Sequence, residues 1–448
     1  MKNLLILLAL GLLVHTSQAL LPIGGDVHGA AGTALGFGVL LLMAFVSGDV
    51  FARLGLPKLV GYIIAGIVIG PHAFGLVSEN MVEQLDLIEG VAICLIALTA
   101  GGELHLKRMR PLLPTIIALT WWAAIGASVL LALGLLFVAP RLSFLQNLHG
   151  PILFAFCGML GVVLSAQSPA VVMALLSETR SEGPLSQTVL GTVVIADLVV
   201  IVLFSGLSAV VRSMMTGEPD AAGAALSIAW ELFGSMGAGV IVGVVLTYYL
   251  RKIKQDASLF VVLLCVIVAE ITTRVRLDPL IVMLSAGLVI ANFAESDAPP
   301  VIHDLQGASL PLYLVFFAVA GTTLHVEVLF EFGAIAAMLV ALRALGFRAG
   351  AAIATRQARS PIEVRRWAWT GLLPQAGLAL ALALVVQRSF GDVGQGASAL
   401  LLGVIALNEL LMPILLRNAL VRSGEAMTRS SVAPTSRLST GARSGPQP

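Results

Sequence analysis

Residues Gly191 to Phe204 read GTVVIADLVVIVLF, an apolar run interrupted by a single carboxylate, Asp197. A lone carboxylate at the centre of a lipid-facing segment costs about 2.5 kcal/mol or more, so it must face protein or water. Such a group can hold a proton and a cation in turn, which is the chemistry an exchanger needs. The matching basic candidate is Arg343, in MLVALRALGF, near the middle of another apolar run. Arginine stays charged at any working pH, so Arg343 cannot itself pass protons. It could pair with Asp197 in the empty state, pair with Glu103 or Glu409, or brace the fold.

Polar residues also gather around two prolines. The stretch VVLSAQSPAVVMAL sets Ser165, Gln167 and Ser168 just before Pro169, and TGLLPQAGLALALAL carries Pro374, Gln375 and Gly377. Proline removes a backbone donor and frees a carbonyl. Unpaired backbone at membrane depth is tolerated only where protein, water or an ion satisfies it. Both stretches therefore read as helices broken near the midplane, offering oxygen donors that suit a hard cation. Glu103, in TAGGELHL, falls near a predicted helix end, where snorkelling or capping is the favoured role. Asn408 and Glu409, in VIALNELLMPIL, occupy the place that mirrors Asp197 in the second half. They either line the site or stitch helices together.

Other chemistries find little support. Cys94, Cys157 and Cys265 lie in apolar stretches without ligand spacing, and the histidines show no paired motif. No cofactor is expected, and no metal beyond a transported monovalent cation. There is no GxxxxGK[ST] loop and no catalytic constellation, which argues against an ATP-driven pump and against an enzyme.

The elements that position these residues must be membrane helices. The 448-residue chain is 58% hydrophobic and 11% charged, with a mean hydropathy of +0.99, whereas soluble domains carry about 25% charged residues. The net charge of +1 gives no reason to expect a nucleic-acid partner. Apolar stretches long enough to cross a bilayer recur about thirteen times between residues 29 and 420. The alternation of a barrel strand is missing. Residues 1–20 read as a cleavable signal peptide, with an additional helix as the alternative. The Ser-, Arg-, Gly- and Pro-rich residues 423–448 read as a disordered cytoplasmic tail. Alternating loops hold most of the lysine and arginine, which places those loops and the C-terminus in the cytoplasm and the mature N-terminus outside.

Two segments share a pattern. GLPKLVGYIIAGIVIG and RLDPLIVMLSAGLVIA each place a proline ahead of an Ala-Gly-aliphatic run, at Ala65-Gly66 and Ala286-Gly287. On the expected topology they cross the membrane in opposite directions. The fold expected is thus all-α and polytopic: two inverted repeats, roughly residues 57–213 and 278–420, each with one broken helix, the two crossing each other. Transporters with inverted repeats bind substrate at such paired breaks.

In order along the chain, LPKLVGYIIAGIVIGP, GELHLKRMRP, SAQSPAVV, IADLVVIV, LRALG and LLPQAGLALAL resemble the monovalent cation/proton antiporters. The likeness is to their bacterial sodium/proton and Kef-type potassium branch and covers about residues 29–420. The resemblance implies an exchanger domain over residues 29–422 of the bacterial inner membrane, working as a homodimer with an elevator-like core. In that family the carrier is the second residue of an Asp-Asp or Asn-Asp pair. The matching residues here are Ala196 and Asp197. The family's basic residue ahead of the second break corresponds to Arg343, and a basic residue often found within that break corresponds to Gln375.

The expected function is exchange of Na⁺ or K⁺ for H⁺ by alternating access. Asp197 would carry each in turn, helped by Ser165, Gln167, Ser168 and the carbonyls around Pro169. A single titrating carboxylate implies one proton per cation, hence electroneutral exchange. Three alternatives stand beside this reading. One is a channel-like potassium efflux protein regulated by a separate subunit. Another is a sodium-coupled symporter for an organic anion held by Arg343 and a helix N-terminus. The last is a transport-inactive sensor, for which Ala196 is the hint.

Overall fold

The computed structural model describes residues 30–71, 73–83, 85–216, 229–252, 257–293, 313–324 and 328–426. The expected leader, residues 1–20, and the tail beyond residue 426 lie outside them. Regular structure among the described residues is helical, as near-continuous apolar runs require where no water can satisfy the backbone.

The chain opens with α1 (Ala30–Arg53), α2 (Lys58–Ile69) and α3 (Asp86–Glu103). Helix α4 runs through Leu113–Leu119 and Gly126–Val138 with a π turn at Thr120–Ile125 between them. Next come α5 (Pro151–Ser165), α6 (Pro169–Thr179) and α7 (Pro184–Thr216). Two linking helices follow, α8 (Ser235–Lys252) and α9 (Ala257–Val275). The second half holds α10 (Pro279–Phe293), α11 (Tyr313–Thr322) and α12 (Val328–Gln357). It closes with α13 (Ile362–Gly371), α14 (Gly377–Ser389) and α15 (Gly391–Ser423). Among the described residues seven stretches are long and apolar enough to cross a membrane, and six shorter apolar helices accompany them. This is the multi-pass, all-helical architecture expected; the figure of about thirteen crossings rests on the sequence pattern.

Glycines reveal the two-fold relation between the halves. A Cβ on Gly66 of α2 would lie 2.2 Å from the carbonyl oxygen of Ala318, three residues before Gly321 on α11. A Cβ on Gly287 of α10 would lie 2.2 Å from the carbonyl of Leu98, three residues before Gly101 on α3. The converse distances, Gly321 to Ile63 O and Gly101 to Leu284 O, are 2.3 and 2.1 Å. So the first helix of each repeat crosses the second helix of the other, backbone against backbone. Only glycine permits that approach. Gly66 and Gly287 are the residues of the repeated Ala-Gly motif. Gly101 and Gly321 belong to a second repeat, AGGELH against AGTTLH, that hydropathy alone does not expose.

Around these crossings α1 packs on α2, and α8 packs on α10. The other half of each repeat forms a second bundle, in which α4 packs on α5 and α12, α7 on α5 and α13, and α15 on α12 and α14. Each repeat contributes one helix interrupted in mid-course. Those interruptions hold the residues that the sequence singled out.

Candidate functional site

The first interruption separates α5 from α6. Ala166 (φ −54°, ψ 146°) and Ser168 (φ −130°, ψ 104°) leave the helical region, and α6 resumes at Pro169. Pro169 costs nothing there, because the first helical N–H has no intrahelical acceptor. The Ser168 hydroxyl caps α6 by accepting from Val171 N at 3.2 Å. The second interruption separates α13, ending at Gly371, from α14, starting at Gly377, with Pro374 between them. Each break turns a helix C-terminus into the protein. The last carbonyls of a helix lack intrahelical donors and carry the negative end of its dipole.

Arg343 gathers both of these ends. It is fully buried on α12. Its Nε donates to Leu164 O at 2.7 Å and its Nη2 to Ala166 O at 2.7 Å, both in the first break. Its Nη1 donates to Leu373 O, and Nη2 reaches Leu372 O at 3.4 Å, both in the second. The guanidinium carbon lies 4.7 Å from the centre of the Phe347 ring. The planar fork suits this arrangement, since it directs several donors outward at once. In the structure Arg343 joins the two breaks. Its donors go to carbonyls and to no carboxylate of Asp197 or Glu409.

An amide pair reinforces the crossing. Gln375 donates through Nε2 to Leu164 O at 2.9 Å, and its Oε1 accepts from Asn408 Nδ2 at 2.7 Å. Thus the residue that matches a basic position in the resembling family joins the two breaks as a neutral donor. Ser165 donates to Val162 O at 2.8 Å and accepts from Ser128 of α4 at 2.8 Å.

Asp197 sits in the long helix α7 and is only 7% exposed. The backbone N–H of Gln167, in the first break, hydrogen-bonds to its carboxylate. Its Oδ1 has no hydrogen-bond partner, and neither do Oε1 and Nε2 of the buried Gln167 side chain. Ala196 beside it is fully buried and adds no polar atom. The structure therefore brings Asp197 and Gln167 together with unsatisfied groups, whereas the Ser165 and Ser168 hydroxyls are engaged locally. Glu409 is 1% exposed with both carboxylate oxygens unpartnered, and Asn408 Oδ1 is unpartnered too. Glu103 ends α3, and its side chain lies outside the described residues.

Some residues at the site escape sequence reasoning. Ser128 is an ordinary serine in an apolar helix, and nothing in its neighbours marks it. Phe347 reads as core. Asp278 carries a legible signal, an acid directly ahead of a proline that starts a helix, and it lies close enough for its charge to act on Asp197.

The family described as "Sodium/hydrogen exchanger, transmembrane" matches residues 39–422. Among curated proteins the chain is 26% identical to the iron transporter MagA of Paramagnetospirillum magneticum, over 65% of this chain and 64% of that one. It is also 26% identical to the ammonium/H⁺ antiporter subunit AmhT of Alkalihalophilus pseudofirmus, over 64% of this chain and 69% of that one. The matched region thus spans just under two thirds of the first relative's length. Among solved structures the sodium proton antiporter MjNhaP1 of Methanocaldococcus jannaschii superposes with a TM-score of 0.70, at 13% identity. That match covers 90% of this chain and all of the other, and it shows the fold.

Proposed function

Because this chain belongs to the family of transmembrane sodium/hydrogen exchangers, we propose that it exchanges a monovalent cation, Na⁺ or K⁺, for H⁺, with Asp197 carrying each in turn. The observation that carries this reading is the state of the Asp197 carboxylate. It is buried, one oxygen has no partner, and the nearby buried cation, Arg343, is committed to helix-break carbonyls. An ionised carboxylate without a counter-charge is strongly disfavoured in such a place. Asp197 must therefore hold a proton or a cation, and alternation between the two is antiport. Gln167 Oε1 and the carboxylate oxygen supply hard ligands beside it, which suit alkali cations.

The relatives' names divide over cargo. One is called an iron transporter and another an ammonium/H⁺ antiporter. The donors described at Asp197 are oxygens, of its carboxylate and of Gln167, and among the described residues no group of three His, Cys, Asp or Glu is placed to hold a metal ion; both favour a hard monovalent ion over iron. Alternating access would move the helix-break bundle against the helices that cross at Gly66 and Gly287, in a homodimer of the inner membrane. The charge pattern of the loops supports a cytoplasmic C-terminus.

The test is a pH-gradient assay in everted membrane vesicles from a strain without its own exchangers. Na⁺, K⁺ and Li⁺ are added in turn to wild type and to Asp197→Asn. The expected result is cation-triggered loss of the gradient in wild type alone. Silence of wild type toward every cation, with expression verified, would overturn the reading.

A further inference from the structure

Arg348 lies on α12 five residues after Arg343 and points away from it, since five residues turn a helix by about 140°. Arg343 is buried, whereas Arg348 is exposed beside the exposed Leu345. It falls within the apolar stretch Phe332–Gln357, about 14 Å short of the end of α12. Among the described residues no acid pairs with it; its guanidinium carbon instead lies 5.4 Å from the centre of the Trp369 ring on α13. An arginine on a lipid-facing wall is costly unless its head reaches a polar group. Its long stem lets the head rise toward the membrane surface, where the anions are lipid phosphates.

Indoles frame the same face. Four of the chain's five tryptophans, Trp121, Trp122, Trp367 and Trp369, stand at this end of the bundle. Trp369 is set against Arg348, with its Nε1 donating to Arg366 O at 3.2 Å. On the far side of α12, Trp122 of α4 donates through Nε1 to Gln357 Oε1 at 2.8 Å, and a Cβ on Gly350 would lie 2.3 Å from the Trp122 carbonyl oxygen. The exposed face of α12 between these two indoles carries Leu345, Arg348 and Arg356. Tryptophan gathers where a membrane meets water, at the level of the lipid headgroups.

Charge at this corner is one-sided. From Arg343 to Thr370 the sequence holds a single acid, Glu363. Arg348, Arg356, Arg359, Arg365 and Arg366 are all exposed. Basic loops set the orientation of a membrane protein, but orientation does not call for an arginine inside the span and stacked on an indole. A soluble acidic partner could meet the arginines of the turn between α12 and α13. It could not reach Arg348, which lies further down the lipid-facing wall.

We propose that this face of α12 and α13 binds an anionic phospholipid of the cytoplasmic leaflet. Arg348 holds the phosphate, Trp369 fixes the guanidinium, the acyl chains lie along α12 beside Leu345, and the arginines of the turn supply the attracting field. The bound lipid braces the outer side of the helix whose inner side joins both breaks through Arg343. The side of the membrane follows from the charge pattern of the loops; the site itself does not depend on the exchanger reading.

Tryptophan fluorescence of the purified full chain in neutral detergent tests it, because bromine on a lipid chain quenches indoles that it touches. Brominated phosphatidylglycerol should reach half-quenching at a lipid fraction at least about fivefold below that of brominated phosphatidylcholine. Arg348→Gln should raise the half-quenching fraction of phosphatidylglycerol about fivefold and leave that of phosphatidylcholine unmoved. Arg348→Lys keeps the charge but loses the fork, and should fall between. Arg141→Gln removes an exposed arginine just past the other end of α4, near Phe137, and as the control should match wild type. The proposal is overturned if wild type does not distinguish the two lipids, or if Arg348→Gln stays within about twofold of wild type. It is also overturned if Arg141→Gln shifts as far as Arg348→Gln. Should Arg348→Gln not fold, the double variant Arg365→Gln with Arg366→Gln is read against the same limits. Inorganic phosphate should not reverse the quenching; reversal would mark a site for free phosphate and sink the lipid assignment.

Discussion

Arg343 is a buried cation that neutralises helix ends rather than a carboxylate, and this separates bracing from transport at the level of single residues. Four carbonyls, from Leu164, Ala166, Leu372 and Leu373, converge on it. Arg343→Leu would leave the carbonyls of Ala166, Leu372 and Leu373 without this donor, Leu164 O keeping its bond from Gln375, at about 1–3 kcal/mol for each that stays buried and unpaired. The expected result is a protein that melts at least ~5 °C lower in detergent. Arg343→Lys keeps the charge but loses the fork and should fall between. Thermal unfolding of the purified variants checks this order. Asp197→Asn is the opposite case: it should leave the melting temperature unchanged or raised, because a neutral amide is easier to bury than a carboxylate, while exchange is lost. Of these residues, Asp197, Gln167 and Arg343 were legible because their types are costly in lipid. The engagement of Ser165 with Ser128, and of Ser168 with Val171, was not, because a hydroxyl serves equally as ligand, cap or stitch until its neighbours are placed.

Elements meet in this protein through glycine. The pairs Gly66 with Gly321 and Gly287 with Gly101 place backbones where a methyl group cannot fit, and the pairs are related by the repeat. Gly66→Ala and Gly287→Ala should therefore destabilise by similar amounts, about 1–3 kcal/mol each for an overpacked contact. Gly158→Ala, on α5 with nothing within 4 Å of its added Cβ, should be neutral or stabilising by up to about 1 kcal/mol. Melting curves of the three variants compare them directly, and unequal losses for the first two would count against the symmetry. The Ala-Gly repeat was visible because it recurs with a proline at similar spacing. Its partner, AGGELH and AGTTLH, spans the ends of segments with different hydropathy and becomes meaningful only once Gly101 and Gly321 are seen at equivalent crossings.

At the scale of the whole molecule, the end of the described chain returns to α7, the helix that holds Asp197. Glu425 accepts from Leu185 N at 2.7 Å, Ser186 N at 2.9 Å and Ser186 Oγ at 2.7 Å, capping the start of α7. A carboxylate at that end also meets the positive end of the helix dipole. Glu425→Ala should cost about 1–2 kcal/mol of stability, seen as earlier unfolding in detergent, with exchange retained. The single titrating carboxylate proposed for the cycle carries its own consequence for the assembled transporter. Exchange in proteoliposomes should be unmoved by an imposed membrane potential at a fixed pH gradient. A rate that follows the potential would mean that a second acid titrates, and Glu409, buried with both oxygens unpartnered, would be the first to replace by glutamine.

The sequence alone determined that this is a helical membrane protein, that its halves are related, and that one carboxylate, Asp197, lies in an apolar helix that follows a broken one. Those conclusions follow from costs that are large wherever the residue sits: charge in lipid, proline in a helix, unpaired backbone without water. Only the tertiary structure decided which of several partners each polar group takes. Arg343 had three carboxylates within its plausible reach and bonded to none of the two that can be described. Choices of that kind differ by a few kcal/mol and depend on where helices distant in sequence cross. In this protein the crossings are set by glycine contacts between opposite halves of the chain.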